Sequence, residues 1–345
     1  MKVSILSVGA STAVGLSAEQ TAFGLRAALY CPLTIRVVDE DGRQLGAAIA
    51  TSVVEEVEGW ERMVWLALPA LREALGAAPP AGTSRVRRLF LALPMQRAGF
   101  DDADRRSVVE ELGEAVLDGV PITVVTGQNE AFGRALALAT RHVAEHPSER
   151  VAVGAVDSRH AAATYAELDA DFRLLSERAP DGFVPGEGAA FVVIGSHADG
   201  ALASLVYADA ADEEPGAELD AAFTDLVERG AASIHANAKE PSPLPWILVD
   251  QRSERHRSRS WSRVEHRLSD LLDASTTTVD ALSERLGDAG TASGAILCVY
   301  AAIGLESGFG PGSRGPCASA LVALGSDAGG RACFAMVPHL AAVPR

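Results

Sequence analysis

The chain has 345 residues, a formal net charge of −16 and 48% hydrophobic residues. That acidity excludes nucleic acid as the main partner, because phosphate binding wants a basic face. The apolar content is enough for an extensive buried core, yet no run approaches the roughly 20 apolar residues that span a bilayer.

The opening, MKVSILSVGASTAVGL, has one Lys and an apolar stretch, as a secretory leader would. Gly and Ser interrupt it, and the helix-like SAEQTAFGLRAAL follows without a cleavage site. KVSILSV reads instead as a first buried strand. Further on, RRLFLALP, ITVVTG and RVAVGAV read as short buried strands rich in branched apolar residues. Between them GWERMVWLALPALREALG, DRRSVVEELGEAVLDG and NEAFGRALALATRHVAEH carry helical spacing. The alternation predicts an α/β protein with a mostly parallel sheet.

The chain also resembles itself. AAFVVIGSHADG (189–200) pairs with SALVALGSDAGG (319–330), TGQNEAFGRALALA with LGDAGTASGAILCVYAAIGL, and KVSILSVGA with ALASLVYADA. Three matches in one order predict a duplication, with halves 1–198 and 199–345. RSERHRSRSWSRVEHR (252–267) is the compositional exception, with six arginines. It reads as a solvated face or as a docking patch for an acidic partner. The four cysteines, Cys31, Cys298, Cys317 and Cys333, have neither metal nor disulfide spacing. A reducing cytoplasm and no cofactor or metal are expected.

DGFVPGEGAAFVVIG (181–195) resembles the DGF-x-x-GEGA signature of β-ketoacyl synthases. VGASTAVGLSAEQTAFGLRAA, VGAVDS (153–158), LGDAGTASGA (286–295) and GSRGPCASALVAL (312–324) resemble further segments of that family, in its order. The resemblance implies the thiolase fold, two similar α/β halves packed as a five-layer α-β-α-β-α sandwich, usually dimeric. It also implies that Glu187 is tied into the interior by hydrogen bonds and is structural. Thr126, Gly127, Gln128, Gly186, Glu187, Gly188 and Gly315 then belong to the acyl pocket or to structural motifs.

Condensation in that family needs a Cys thiolate where a strand turns into a helix, since the helix dipole favours the anion. Here the position holds Gln128, whose amide is no nucleophile. Two His residues should stabilise the enolate oxyanion. One position holds Asp288, which would repel that charge. The other should follow WILVD (246–250), where the H-G-T-G-T motif is missing and His256 is the nearby imidazole. The family lysine aligns with Ser283. Cys317, in the closing loop, is a candidate relocated nucleophile, set against the blander reading of a buried small hydrophobe.

Other pairs have ordinary readings beside their functional ones. Asp157 and His160 invite a dyad but suit a turn. His142 and His146 have i, i+4 metal spacing without an evident third ligand, as on an exposed helix face. Glu130 would sit favourably in a first helical turn. The expected function is a non-condensing synthase homologue, structural or chain-length-factor-like. Its partners would be an active ketosynthase or an acyl carrier protein, in a homo- or heterodimer. The alternatives are an acyl-thioester acyltransferase, decarboxylase or hydrolase with a rebuilt site, and a stand-alone binder of acyl groups.

Overall fold

The structure is a computed structural model and describes residues 3–38, 42–76, 86–196, 200–214, 220–237, 244–250, 253–273, 275–310 and 317–339. Among these residues the chain first forms β1 (Val3–Thr12), α1 (Ala18–Arg26), β2 (Leu33–Val38), β3 (Gln44–Ala47), α2 (Gly59–Leu75), β4 (Val86–Pro94) and α3 (Asp102–Leu112). Next come β5 (Ile122–Gly127), α4 (Ala131–Glu145), β6 (Arg150–Ser158), α5 (Ala162–Ala170) and β7 (Glu187–Ser196). A second run follows, with β8 (Ala203–Asp212), α6 (Ala221–Asn237), β9 (Trp246–Val249), α7 (Arg255–Arg267) and β10 (Thr278–Ala281). It ends with α8 (Ser283–Leu286), α9 (Ser293–Glu306), β11 (Ala320–Gly325) and β12 (Gly330–Pro338).

Ten strands are hydrogen-bonded in the order β10-β9-β11-β12-β8-β1-β7-β6-β4-β5, while β2 and β3 form a separate ribbon. The large sheet consists of two five-stranded half-sheets joined, among the described residues, where Val3–Ile5 of β1 meets Ala203–Leu205 of β8. In each half-sheet, two strand pairs are antiparallel and two are parallel. The sheet is therefore mixed, which corrects the expectation of a mostly parallel one. The helix–strand alternation holds, but β7 and β12 run antiparallel to both of their neighbours, so that β6 and β11 each have one antiparallel and one parallel neighbour.

Strand alternation produces the layers, because successive side chains point to opposite faces. On β6, Val151, Val153 and Ala155 face a central core shared with α1, α4 and α9, while Ala152 and Val156 face the core under α2 and α3. On β11, Ala320, Val322 and Leu324 face the same central core, while Leu321 and Ala323 face α6 and α7. The result is the five-layer α-β-α-β-α sandwich of the thiolase fold. Helix α9 explains its own place in the middle layer. Every residue from Ser293 to Leu305 is buried, and a helix apolar on all sides is stable only when enclosed.

The two half-sheets have the same order and strand sense, with β1, β4, β5, β6 and β7 standing where β8, β9, β10, β11 and β12 stand in the other. KVSILSVGA and ALASLVYADA thus occupy matching positions, and so do the helices α4 and α9. The pairing of 189–200 with 319–330 does not hold. The first segment forms β7, whereas the second forms β11, whose counterpart is β6. Adjacent buried strands draw on the same small and branched residues, so composition cannot tell one from its neighbour. The halfway point at residue 198 lies outside the described residues.

Candidate functional site

Strand β5 ends at Gly127 and α4 begins at Ala131, with Glu130 as the N-cap residue. Gln128 therefore sits at the mouth of a helix N-terminus. The Gln128 N–H donates to Glu130 Oε2 at 3.2 Å, which draws the buried Glu130 into the turn. The Gln128 side chain is held as well: its Oε1 accepts from the Asp327 N–H at 2.9 Å, across the molecule from the β11–β12 turn. Thr126 is exposed at the end of β5, paired through its backbone with Leu93 of β4.

A polar cavity of about 220 Å³ opens beside Gln128. Asp288 lies in its wall, and the motif around Glu187 positions it. Asp288 N donates to Val184 O at 2.8 Å, and Gly186 N donates to Asp288 O at 3.0 Å. A Cβ on Gly186 would stand 2.4 Å from Leu286 O, so only glycine allows this approach. Glu187 points the other way, wholly buried, and accepts from Arg62 Nε (2.6 Å) and Nη2 (2.7 Å), Ala50 N (2.7 Å) and Ser158 Oγ (2.6 Å). Gly188 follows it on β7 against Ile296 of α9.

The Asp288 carboxylate is 2% exposed and fully engaged. Its Oδ1 accepts from Asn129 Nδ2 (3.0 Å) and Gly290 N (2.9 Å), and its Oδ2 accepts from Arg159 Nη2 (2.9 Å). Asp157, at the end of β6, accepts from Arg97 Nη2 (2.6 Å), Arg97 Nη1 (3.2 Å) and Thr291 N (2.9 Å). Burial pushes its pKa up, but the Arg97 charge and hydrogen bonds, with Arg159 and Thr291, hold it below the usual carboxylate value. Asp327 receives Arg173 Nη2 at 2.8 Å and His256 Nε2 at 2.9 Å. Its pKa also lies well below the usual range: burial opposes this, and the His256 hydrogen bond with the charges of Arg257 and Arg173 outweighs it.

The cavity is thus walled by guanidinium–carboxylate pairs. Arg97, Arg159, Arg173 and Arg257 all line it, paired in turn with Asp157, Asp288, Asp327 and Asp250. Neither a thiol nor an imidazole is among its described lining residues. The four guanidiniums that could meet a developing oxyanion are already committed to carboxylates, and a buried site gives such pairs their strength.

The other candidates are placed as follows. Cys317 is buried, donates to Ser319 O at 3.3 Å and is absent from the described cavity wall. Burial pushes its thiol up, away from thiolate. His256 is exposed on α7 and reaches Gln128 only through Asp327. Ser283 starts α8 with its Oγ buried and without a hydrogen-bond partner among the described residues. Gly315 lies outside the described residues.

Asp157 and His160 form no dyad, because His160 engages Tyr165 Oη at 3.0 Å and Glu55 O at 2.8 Å instead. His142 and His146 pack edge to face with ring centroids 4.6 Å apart. A carboxylate does lie beside them, Glu149 Oε2, at 2.8 Å from His142 Nε2. Ligand-type atoms of Glu254, His256 and Asp327 also lie within 4.8 Å of one another. Arg173 already bridges both carboxylates, at 2.7 Å and 2.8 Å, and supplies the positive charge that a metal would bring.

Sequence reasoning missed the four arginines and Asp327. The Asp of GSDAGG stood in a segment read for its strand, and nothing local marks it as a partner of Gln128.

No protein-family model matches the sequence, and no curated protein matches it significantly. Solved structures do match. The ishigamide ketosynthase/chain length factor has 18% identity and a TM-score of 0.72, over 98% of this chain and 99% of that one. AntDE:AntF, a type II polyketide synthase acyl-carrier protein in complex with its ketosynthase, has 14% identity and a TM-score of 0.75, over 98% and 99%. An oxazolomycin ketosynthase domain from Streptomyces albus JA3453 has 15% identity and a TM-score of 0.74, over 99% of this chain and 75% of that one. The chain is similar to these proteins in fold from end to end.

Proposed function

We propose that this chain is a non-condensing ketosynthase homologue, a structural subunit that acts as a chain-length factor does in fatty acid or polyketide-type biosynthesis. One observation carries the reading. The strand-to-helix position that would hold a thiolate holds Gln128, tied to Asp327 N at 2.9 Å, above a cavity whose described wall includes four arginines, each paired with a carboxylate. Such a wall favours a filled, rigid centre over acyl transfer, because each guanidinium already has a carboxylate to satisfy it.

Its partners on this reading are an active ketosynthase and an acyl carrier protein. The free edge of β5 supports a dimer. Val124 and Thr126 are exposed there, Ile122–Gly127 pairs only with β4 among the described residues, and the segment has no charge or proline. An unprotected edge of this kind invites a second strand. The matching strand orders support two halves, 1–198 and 199–345, that arose by duplication.

The test is co-purification with an active ketosynthase, joined to intact-protein mass after incubation with a panel of acyl-thioesters. A stable complex and no acyl adduct are expected. A covalent adduct lost in Cys317→Ala would replace this reading with that of an enzyme whose nucleophile has moved. A homodimer that binds neither a ketosynthase nor a carrier protein would end it.

A further inference from the structure

Helix α7 buries Trp261 and Val264 against the outer core and Arg257 against Asp250, and turns its other side to solvent. That side carries Arg255, Arg259, Arg263 and Arg267, all exposed and each four residues from the last. At about 1.5 Å per residue the ladder runs roughly 18 Å. Like charges at i, i+4 weaken a helix, so the ladder works against the element that carries it. Arg255 meets Asp181 at 3.4 Å and Arg263 meets Asp220 at 3.0 Å. Arg259 and Arg267 form no ion pair among the described residues. The segment 252–267 holds six arginines in a chain of net charge −16.

A second feature adjoins it. Phe172 follows the end of α5 with φ of 56°, a left-handed conformation that glycine adopts freely and an aromatic residue resists. The residue is 56% exposed, with the Arg178 guanidinium 4.8 Å from its ring centroid. Phe172, Arg255 and Arg259 line one open trough of about 380 Å³. The trough shares Asp171 and Arg173 with the cavity beside Gln128. A strained backbone that holds an aromatic ring in water, at the end of an arginine ladder, has the make-up of a binding hot spot.

We propose that α7 and Phe172 form a docking face for a partner protein that presents an acidic helix with an apolar side chain to seat against Phe172. The partner is an acidic protein on grounds of charge complementarity, in a molecule whose overall charge repels nucleic acid. The assignment rests on the reading above that a carrier protein is among the partners, and it names the face that receives it.

The test measures binding of a holo acyl carrier protein to the full chain by fluorescence anisotropy, across a range of salt. Three proteins are compared: the unaltered chain, Arg259→Glu/Arg267→Glu and Phe172→Gly. Thermal unfolding of each variant should match or exceed that of the parent, since the arginines are exposed and glycine relieves the left-handed strain. Each variant should weaken binding roughly tenfold or more. The double variant should also lose most of the salt dependence. Parental binding with unchanged affinity in both variants overturns this face and leaves the functional reading intact. No binding by the parent overturns this occupant, and the functional reading falls with it only if co-purification shows that an active ketosynthase is not bound either. Co-sedimentation with phosphatidylglycerol vesicles in place of carrier binding would assign the ladder to a membrane surface and refute the proposal.

Discussion

Replacing Arg62 by Met tests whether the buried ion pair behind the DGF-x-x-GEGA loop holds that loop in place. Arg62 and Glu187 side chains are both 0% exposed. Besides its two bonds to Glu187, Arg62 donates to Val54 O (2.8 Å), Val57 O (3.1 Å) and Ala50 O (3.3 Å), and so ties the 50–57 segment to β7. Methionine fills much of the volume but leaves a buried carboxylate with only Ala50 N and Ser158 Oγ as donors. Breaking a buried pair in this way costs about 3–5 kcal/mol. The 50–57 carbonyls can recover water as the segment loosens, so about 4 kcal/mol is a reasonable centre. Urea unfolding is the assay. With a slope of about 3 kcal/mol per M, the midpoint should fall by about 1.3 M. Arg62→Met/Glu187→Leu removes both charges and should recover much of that loss. A midpoint shift below about 0.3 M for Arg62→Met would refute the reasoning, because no uncompensated charge would then have been created. So would a double variant that loses the full sum of the single effects.

Gln128→Cys should show no condensation activity and take up no acyl group from acyl-thioesters by intact mass, since no imidazole lines the described cavity wall; turnover gained by this variant would refute the proposed non-condensing centre. Gly9→Ala should cost about 3 kcal/mol in urea unfolding, because its Cβ would stand 2.0 Å from Ala70 O and 2.6 Å from Ala74 N of the α2 backbone. Parental stability in that variant would mean that α2 does not pack on β1 as described. Asp157→Asn should alter the pH dependence of stability. The folded pKa of Asp157 is lowered, so its contribution is present above the unfolded value of about 3.9 and is lost as pH falls through the folded one. The variant should therefore be less stable than the parent at pH 7, with a gap that narrows below about pH 4. A gap independent of pH would contradict the Arg97–Asp157 pairing.

Local signals carried much of this molecule. ITVVTG spans β5 as a run of branched residues, and the apolar stretch around Cys298 forms the enclosed helix α9. Both follow from continuous apolar runs within a few residues, which is where hydrophobic patterning acts. The same logic located Gln128 at a strand-to-helix turn, because Gly127 and the helical spacing after Glu130 are neighbours in sequence. The counterpart of 319–330 in the first half was not legible, since β11 and β7 are both buried apolar strands and only pairing separates their places in the sheet. The mixed sense of the sheet was hidden for the same reason.

The character of the site was decided by tertiary structure alone. Asn129 meets Asp288 across 159 positions, and Gln128 meets Asp327 across 199. Whether Asp288 repels charge or quietly holds Arg159 depends on which cation the fold brings beside it. A carboxylate's behaviour is set by partners within about 4–6 Å, and the chain by itself specifies those partners only once its strands have been placed.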